Sequence, residues 1–351
     1  MQIRYQKAQQ ETLVTYGEIL STSIREDWLK DKHLIILTNQ RYYDRFFEKI
    51  EQLFLNHPVD WYIFRNQLYV NTLEEWSGLL TYLDRFSTEK EYLFVALGTA
   101  GVVDITGFLQ KVSVLKGKFW SIPISFQSYV QGLIPVRTIS RKHTLPVLQQ
   151  VNLPERIFID QTMVSPQREG RLVDLQVFIR MAFVCDYPLL LQLFKQYPNQ
   201  KQLRITNFTA LMDELTAHYQ VNGEAIESYG WVFEKAFYQT ENGHLLSENM
   251  KRFLGFILHL FWDQTVNQWP FQMDPFMVWL NHLGFPIVFP KTISMAEYLA
   301  NVLRLIGEKG KLISLNQAGE LGEEQVVQEK HLITAFQTYQ QICRNIRSNE
   351  Q

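Results

Sequence analysis

Glu91–Arg137 reads EYLFVALGTAGVVDITGFLQKVSVLKGKFWSIPISFQSYVQGLIPVR. An apolar run enters a glycine-bearing turn, Gly98-Thr99-Ala100-Gly101; an amphipathic segment follows, and a second apolar run ends at Pro123. A buried strand that enters a glycine turn and opens a helix is where open α/β sheets bind ligands, because the first turn of the helix offers unpaired N–H groups to an anion. The layout therefore predicts a nucleotide or phosphate site. The residues in the turn argue the other way. Thr99 and Ala100 stand where a backbone that must approach a pyrophosphate closely carries no Cβ. The outline of a binding turn is kept and its space is filled.

Upstream of this stretch, IRYQ and LVTYG within residues 1–20 alternate as an opening hairpin. His33–Asn39 is a short apolar run with the length and flanks of a buried parallel strand, and Tyr43–Leu55 carries apolar residues at helical spacing. A strand follows at Asp60–Phe64, and then a helix from Thr72, whose hydroxyl is placed to cap it with Glu75 three residues on. Tyr92–Leu97 is the strand that leads into the turn. Strand–helix units of this kind predict a doubly wound parallel sheet. After Asp160 the period changes. Val173–Phe194, Phe208–Val221, Ile226–Tyr238, Glu248–Trp262, Pro275–Leu283, Met295–Gly307 and Glu324–Ser348 all repeat at helical spacing. The sequence thus predicts a Rossmann-like α/β domain over residues 1–160 and an all-helical domain over 161–351, divided near 155–165.

The chain has 351 residues, 46% of them hydrophobic, enough for a large core and for two domains. Its 34 Lys and Arg against 36 Asp and Glu, interspersed in sign, give no basic face for nucleic acid. Its longest greasy run, Phe253–Trp262, is too short to span a bilayer, and no secretory signal opens the chain. Cys185 and Cys343 are far apart in apolar surroundings, which predicts two buried thiols and a reducing, cytoplasmic compartment. Only 17 residues are glycine, below the usual share of about 7%, whereas phosphate-cradling loops depend on that residue.

The quoted stretch also carries a family resemblance. Ala96–Phe108 (ALGTAGVVDITGF) resembles the glycine-rich signature of 3-dehydroquinate synthases, where three glycines, two apolar residues, Gly-Asp and a later Gly-Phe form the dinucleotide turn. Asp104, Gly107 and Phe108 match. Lys116–Thr138 resembles the family's next segment at Pro123 and Val130, while the family's aspartate falls on Gln131 and its Gly-Gly-Lys on Pro135-Val136-Arg137. The resemblance spans nearly the whole chain. It implies the two-domain fold read above, a bound NAD that transiently oxidises a sugar-phosphate hydroxyl, and a zinc ion held by one Glu and two His. On that register Gly98, Gly101 and Asp104 are the residues of a degenerate NAD turn.

The metal positions are replaced. Pro166–Arg180 resembles Pro-x-Arg-Glu followed by Gly-x-Ala-Glu-x-x-Lys: Pro166, Arg168 and Glu169 fit, but the zinc glutamate falls on Gln176 or Val177 and the lysine on Arg180. Neither Gln nor Val neutralises a divalent cation. The histidines fall on Trp231, Lys235 and Ser247, and a lysine at such a place repels a cation. The Glu-x-x-Lys that should precede Thr72 is absent from Phe64–Asn71, and the closing basic segment is shortened to Gly307–Gly310. Arg137, Lys142, Arg180 and Lys235 are either a basic remnant of the phosphate pocket or surface and ion-paired cations. His244, Glu248 and His259 share a helix face but are spread along it, and predict a cap residue, a solvated Glu and a half-buried His rather than a metal site. Ser125, Ser128 and Asp174 have no catalytic partner in sequence and are structural.

These observations predict a 3-dehydroquinate synthase-like, non-catalytic protein that needs neither NAD nor zinc and binds a partner protein or a small anion. The alternative is a divergent sugar phosphate cyclase, a lyase using both. Partnership is expected as a homodimer, or a heterodimer with a related synthase, through the hairpin around Ile3–Tyr16, because an edge strand must be covered or paired.

Overall fold

A computed structural model describes residues 1–141, 145–163, 168–203, 208–307 and 310–349; the side chains of 168, 169 and 349 are outside the description. The chain separates into two compact units, Met1–Gly170 with Phe208–Val221, and Arg171–Asn207 with Asn222–Gln351. Sequence patterning places one division near 160. The contacts assign Phe208–Val221 to the first unit although it follows the first helices of the second in sequence.

The first unit runs β1 (Gln2–Lys7), β2 (Gln10–Tyr16), α1 (Leu20–Ser23), β3 (Lys32–Asn39), α2 (Gln40–Leu53), β4 (Val59–Phe64), α3 (Leu73–Leu83), β5 (Glu91–Gly98), α4 (Ala100–Val112), β6 (Lys116–Pro123), α5 (Phe126–Leu133), β7 (Val136–Ser140), β8 (Pro146–Val151) and β9 (Arg156–Ile159). Seven strands form one sheet in the order β1-β2-β9-β6-β5-β3-β4. Only β1 and β2 pair antiparallel within it; the remaining neighbours are parallel. The central strands β3 and β5 carry continuous apolar runs, Leu34–Leu37 and Tyr92–Leu97, because both faces are covered there. Ile35, Leu37, Phe94 and Ala96 pack with Val102 and Phe108 of α4 and Leu79 of α3. Their sequence neighbours Leu34, Ile36, Leu93 and Val95 pack with Phe46 and Ile50 of α2 on the opposite face. The hairpin of β7 and β8 forms a separate two-stranded sheet.

Two caps in this unit are legible in the residues that make them. Thr72 accepts from the Glu75 amide at 3.3 Å to start α3. Ser125 and Ser128 form a reciprocal capping box at α5, the structural role expected of them.

The second unit is helical: α6 (Arg168–Cys185), α7 (Tyr187–Gln196), α8 (Gln200–Leu203), the last turns of α9 (Met212–Ser228), α10 (Trp231–Gln239), α11 (Glu248–Asn267), α12 (Met273–Leu283), α13 (Met295–Ile306) and α14 (Glu329–Asn349). Val173–Phe194, periodic throughout, is two helices, because Asp186 caps a new one at the Leu189 amide (3.0 Å) with Pro188 in its first turn. Four short strands also occur: β10 (Lys311–Leu312) pairs with β13 (Gln325–Val326), and β11 (Leu315–Gln317) with β12 (Glu320–Leu321). Runs of two or three residues show no alternation to read. Phe183 packs among Phe256, Trp269, Phe271 and Phe276 at centroid distances of 5.0–6.1 Å, so these aromatics fill core. Among the described residues no helix is long and apolar enough to cross a membrane.

Candidate functional site

The glycine turn stands at the C-terminal edge of the sheet, between β5 and α4. Gly98 pairs in register with Pro123 at the end of β6, and Thr99 occupies the N-cap position of α4. In an anion-binding turn the first amides of the helix point at the ligand. Here protein oxygens take the amides of Thr99, Gly101 and Val102. The Gly101 amide donates to the Leu68 carbonyl at 2.9 Å, the Thr99 amide to Asn39 Oδ1 at 3.2 Å, and the Val102 amide to the Thr99 carbonyl at 3.0 Å. The Thr99 hydroxyl makes no cap; it donates to the Gln67 carbonyl at 3.2 Å.

The carbonyls come from residues 65–71, the link between β4 and α3. Asn39 pins that link by donating to the carbonyls of Arg65 (2.8 Å) and Gln67 (3.2 Å), and Asn66 Oδ1 accepts from the Arg41 amide at 2.8 Å. A Cβ on Gly101 would lie 2.7 Å from the Leu68 carbonyl oxygen and 2.8 Å from Tyr69 Cα. Gly101 is therefore needed for close approach, but what approaches it is the chain's own backbone.

Asp104 and Arg137, read from sequence as a cofactor residue and an anion remnant, are brought together. Arg137 Nη1 donates to Asp104 Oδ1 at 3.3 Å, and Gln131 Nε2 and Asn71 Nδ2 reach the same carboxylate at 2.8 and 3.3 Å. Arg137 is fully buried, and it also donates to the carbonyls of Gln131 (2.7 Å), Asn152 (2.9 Å) and Gly132 (3.2 Å). Burial lowers its pKa and the Asp104 carboxylate opposes that shift. Gly107 is required beneath it, since a Cβ there would lie 2.9 Å from Arg137 Cδ and Nε. The retained Asp104 and Gly107 thus support a braced arginine. Lys142 lies outside the described residues.

The other two candidate cations lie in the second unit. Gln176 and Arg180 are one turn apart on α6, and Val177 is buried among apolar neighbours. Arg180 Nη2 donates to Glu227 Oε1, and Arg252 Nη2 donates to Glu227 Oε2 at 2.5 Å, so one carboxylate of α9 faces two guanidinium groups. Lys235 is buried on α10, with its ammonium 3.7 Å from Glu234 and near the Tyr238 ring; burial lowers its pKa and Glu234 opposes. Ser247 caps α11 by accepting from the Met250 amide at 3.2 Å. Buried Gln176 Nε2 has no hydrogen-bond partner among the described residues.

His259 differs from the half-buried residue that its spacing suggests. It is 1% exposed, accepts from the Gly230 amide at Nδ1 (2.7 Å), donates from Nε2 to the Ile313 carbonyl (2.9 Å), and stacks on Tyr229 at 3.9 Å. Burial pushes its pKa down to about 3. One turn on, Asp263 accepts from Tyr229, Ser314, Asn267 and the Leu315 amide, yet burial still pushes it up to about 6. Sequence reasoning missed this His259–Tyr229–Asp263 network. Its one visible signal is the i, i+4 spacing of His259, inside the apolar run Phe253–Trp262, and Asp263, which ends that run.

No family model matches the chain. A 3-dehydroquinate synthase from Listeria welshimeri is 22% identical over 360 residues, covering 97% of this chain and 97% of its own. Over nearly its whole length the chain is similar to 3-dehydroquinate synthases. Two solved sugar phosphate cyclases share its fold: a 2-deoxy-scyllo-inosose synthase complexed with carbaglucose-6-phosphate, NAD+ and Co2+, and the 2-epi-5-epi-valiolone synthase of Streptomyces hygroscopicus subsp. jinggangensis with NAD+ and Zn2+. Both have TM-scores of 0.77, at 13% and 12% identity, and cover 96% of this chain and 99% and 98% of their own.

Proposed function

We propose that this synthase relative is non-catalytic and acts by binding a protein partner. The observation that carries this is the turn at the start of α4, where the carbonyl of Leu68 already accepts from the Gly101 amide and that of Gln67 from the Thr99 hydroxyl. A pyrophosphate needs those donors, and two carbonyl oxygens aimed along its path repel its charge. The metal positions agree. Gln176 or Val177, a buried Lys235 and a helix-capping Ser247 make no zinc site, so the residues present fit neither NAD nor zinc.

A protein partner is favoured over a small anion, because Arg137 is bound to its own backbone and Asp104, and Arg180 to Glu227. The two cysteines are free, with thiols pushed up to about 11 by burial, which supports the reducing cytoplasmic compartment.

The test is calorimetric titration of the purified chain with NAD, with elemental analysis and assay on the family's heptulosonate phosphate. No saturable NAD binding, no stoichiometric zinc and no turnover are expected, and a chelator should leave the melting temperature unchanged. Micromolar NAD binding with one zinc per chain would establish the divergent cyclase instead.

A further inference from the structure

The cavities among the described residues differ in the charge that surrounds them. The one at the start of strands β3, β4 and β5 mixes Glu26, Asp27 and Glu89 with Lys30, Lys32 and Lys90, and so selects neither sign. A cavity of about 230 Å³ in the second unit carries one sign only. It lies where the link from α12 to α13 passes the C-terminal half of α14.

Val288, Phe289, Pro290, Ile293 and Met295 line one side of it, and Tyr339 and Cys343, one turn apart on α14 and both buried, line the other. The Tyr339 hydroxyl donates to the Ile287 carbonyl at 2.6 Å and the Cys343 thiol to the same oxygen at 3.4 Å. Burial raises both pKa values, the thiol's to about 11, so this side is uncharged at neutral pH. Phe289 packs on Tyr298 and Phe237 at centroid distances of 5.4 and 5.7 Å, and Asn242 Nδ2 donates to the Thr292 carbonyl at 3.0 Å. The cavity is thus held in shape by its own contacts, which lowers the ordering cost of filling it.

The rim is cationic. Lys291 stands on the link and Arg344 and Arg347 on α14, all three exposed. None of them forms an ion pair among the described residues, and no Asp or Glu lines the cavity. Arg344 and Arg347 are neighbours on the helix surface, where like charges repel and an added carboxylate relieves the repulsion.

Size decides between occupants. Sites for cofactor-sized ligands run from about 300 to 1,000 Å³, so this cavity suits one large side chain. Exposed ion pairs add little by themselves, and a lone small anion would have nothing else. A buried anchor side chain ringed by arginines is, by contrast, how protein interfaces concentrate their affinity. We infer that this cavity docks a partner protein through a short acidic segment, with one aromatic side chain filling it and flanking carboxylates meeting Lys291, Arg344 and Arg347. The inference rests on the reading that the chain acts through a protein partner, and adds the surface and the chemistry of that partner.

Fluorescence anisotropy on the full chain tests it, with a labelled peptide that sets one phenylalanine among aspartates and glutamates. Saturable binding is expected, weakened at least about tenfold when that phenylalanine is replaced by alanine. The double reversal Arg344→Glu with Arg347→Glu should weaken it by about tenfold or more, and Lys291→Glu, on the link, gives an independent reversal should the helix variant unfold. Binding should fall as ionic strength rises, while Lys195→Glu, an exposed reversal outside the cavity, should leave it unchanged. With benzoylphenylalanine as the anchor, photocrosslinking should label residues 288–295 or the facing side of α14. No saturable binding, equal binding without the aromatic anchor, crosslinks confined to other segments, or phenyl phosphate binding as tightly as the peptide overturns the inference. Those failures leave the non-catalytic reading to its own test, since NAD titration and zinc analysis involve no peptide.

Discussion

The turn before α4 and the charged group on α6, α9, α10 and α11 include positions where the family resemblance implies NAD and zinc, and their polar groups are satisfied in opposite ways. At the turn, neutral carbonyls from residues 65–71 take the Gly101 amide and the Thr99 hydroxyl. In the second unit, charges remain and are matched internally, with Glu227 between Arg180 and Arg252 and Glu234 beside Lys235. The two closures should fail differently. A carbonyl plug costs little to form, because each carbonyl finds a donor it would otherwise find in water. A buried charge group is stable only while every member is present, since removing one leaves an uncompensated ion.

The largest effect should therefore come from Glu227→Ala, which leaves two guanidinium groups facing each other. A loss of about 3–5 kcal/mol in urea unfolding is expected, concentrated in the second unit, and a loss below about 1 kcal/mol would mean that these charges are solvated.

The pH dependence of the same unit follows from His259 and Asp263, and its sign can be worked out. The folded pKa of His259, near 3, lies below its unfolded value, so its contribution is complete above pH 6.5 and falls as the pH drops toward 3. Asp263, raised to about 6 from about 4, favours the folded state at low pH and loses that contribution as the pH rises through 6. Between pH 7 and 5 the two oppose each other. Asp263→Asn should lose about 2 kcal/mol over that interval and His259→Gln gain about 1 kcal/mol, with the wild type between them. Urea titrations at the two pH values check this, and parallel shifts in both variants would refute the assignment.

At the turn, Gly101→Ala forces a methyl against the Leu68 carbonyl and Tyr69 and should cost about 1–3 kcal/mol. Thr72→Ala, which removes the α3 cap in the same region, should cost about 1 kcal/mol. The smallest expected effect sharpens the comparison most. Thr99→Gly with Ala100→Gly restores the glycines of a binding turn, yet calorimetry should still find no NAD binding, because the Leu68 and Gln67 carbonyls remain. Recovery of binding in that double variant would show that the two Cβ atoms, rather than the carbonyls, close the site.

That last variant separates what was legible in the sequence from what was not. The sheet was readable because β3, β5 and β6 carry apolar runs, Leu34–Leu37, Tyr92–Leu97 and Phe119–Trp120 with Ile122, that are buried on both faces, and Thr72 and Ser125 announce their helices by residue type. The residue types at the positions that the resemblance assigns to zinc were readable too, since a lysine at 235 or a serine at 247 is visible as a letter. What fills those positions was not. The plug is made of carbonyls, which every residue carries, so nothing in Arg65–Asn71 marks it. Arg137 stayed open between an anion ligand and an ion-paired cation because an arginine's letter is the same whether its guanidinium faces a phosphate or the carbonyls of Gln131, Gly132 and Asn152.

Phe208–Val221 belongs to the first unit but is made after the opening helices of the second. It supplies the Thr216 hydroxyl that meets Tyr129 at 2.6 Å, the Tyr219 carbonyl that Tyr5 and Lys7 reach at 3.3 and 3.2 Å, and the Asp213 carboxylate that Tyr16 reaches at 2.8 Å. During synthesis, domains generally close in order from the N-terminus. This one cannot: a nascent chain halted at Gly170 has its whole parallel sheet but lacks the strap over Tyr5, Tyr16 and Tyr129. The ribosome must deliver α6 and α7 before the first unit can be finished, so both halves wait unfinished together, and stalled chains released between residues 170 and 221 should be the ones that chaperones hold and proteases remove.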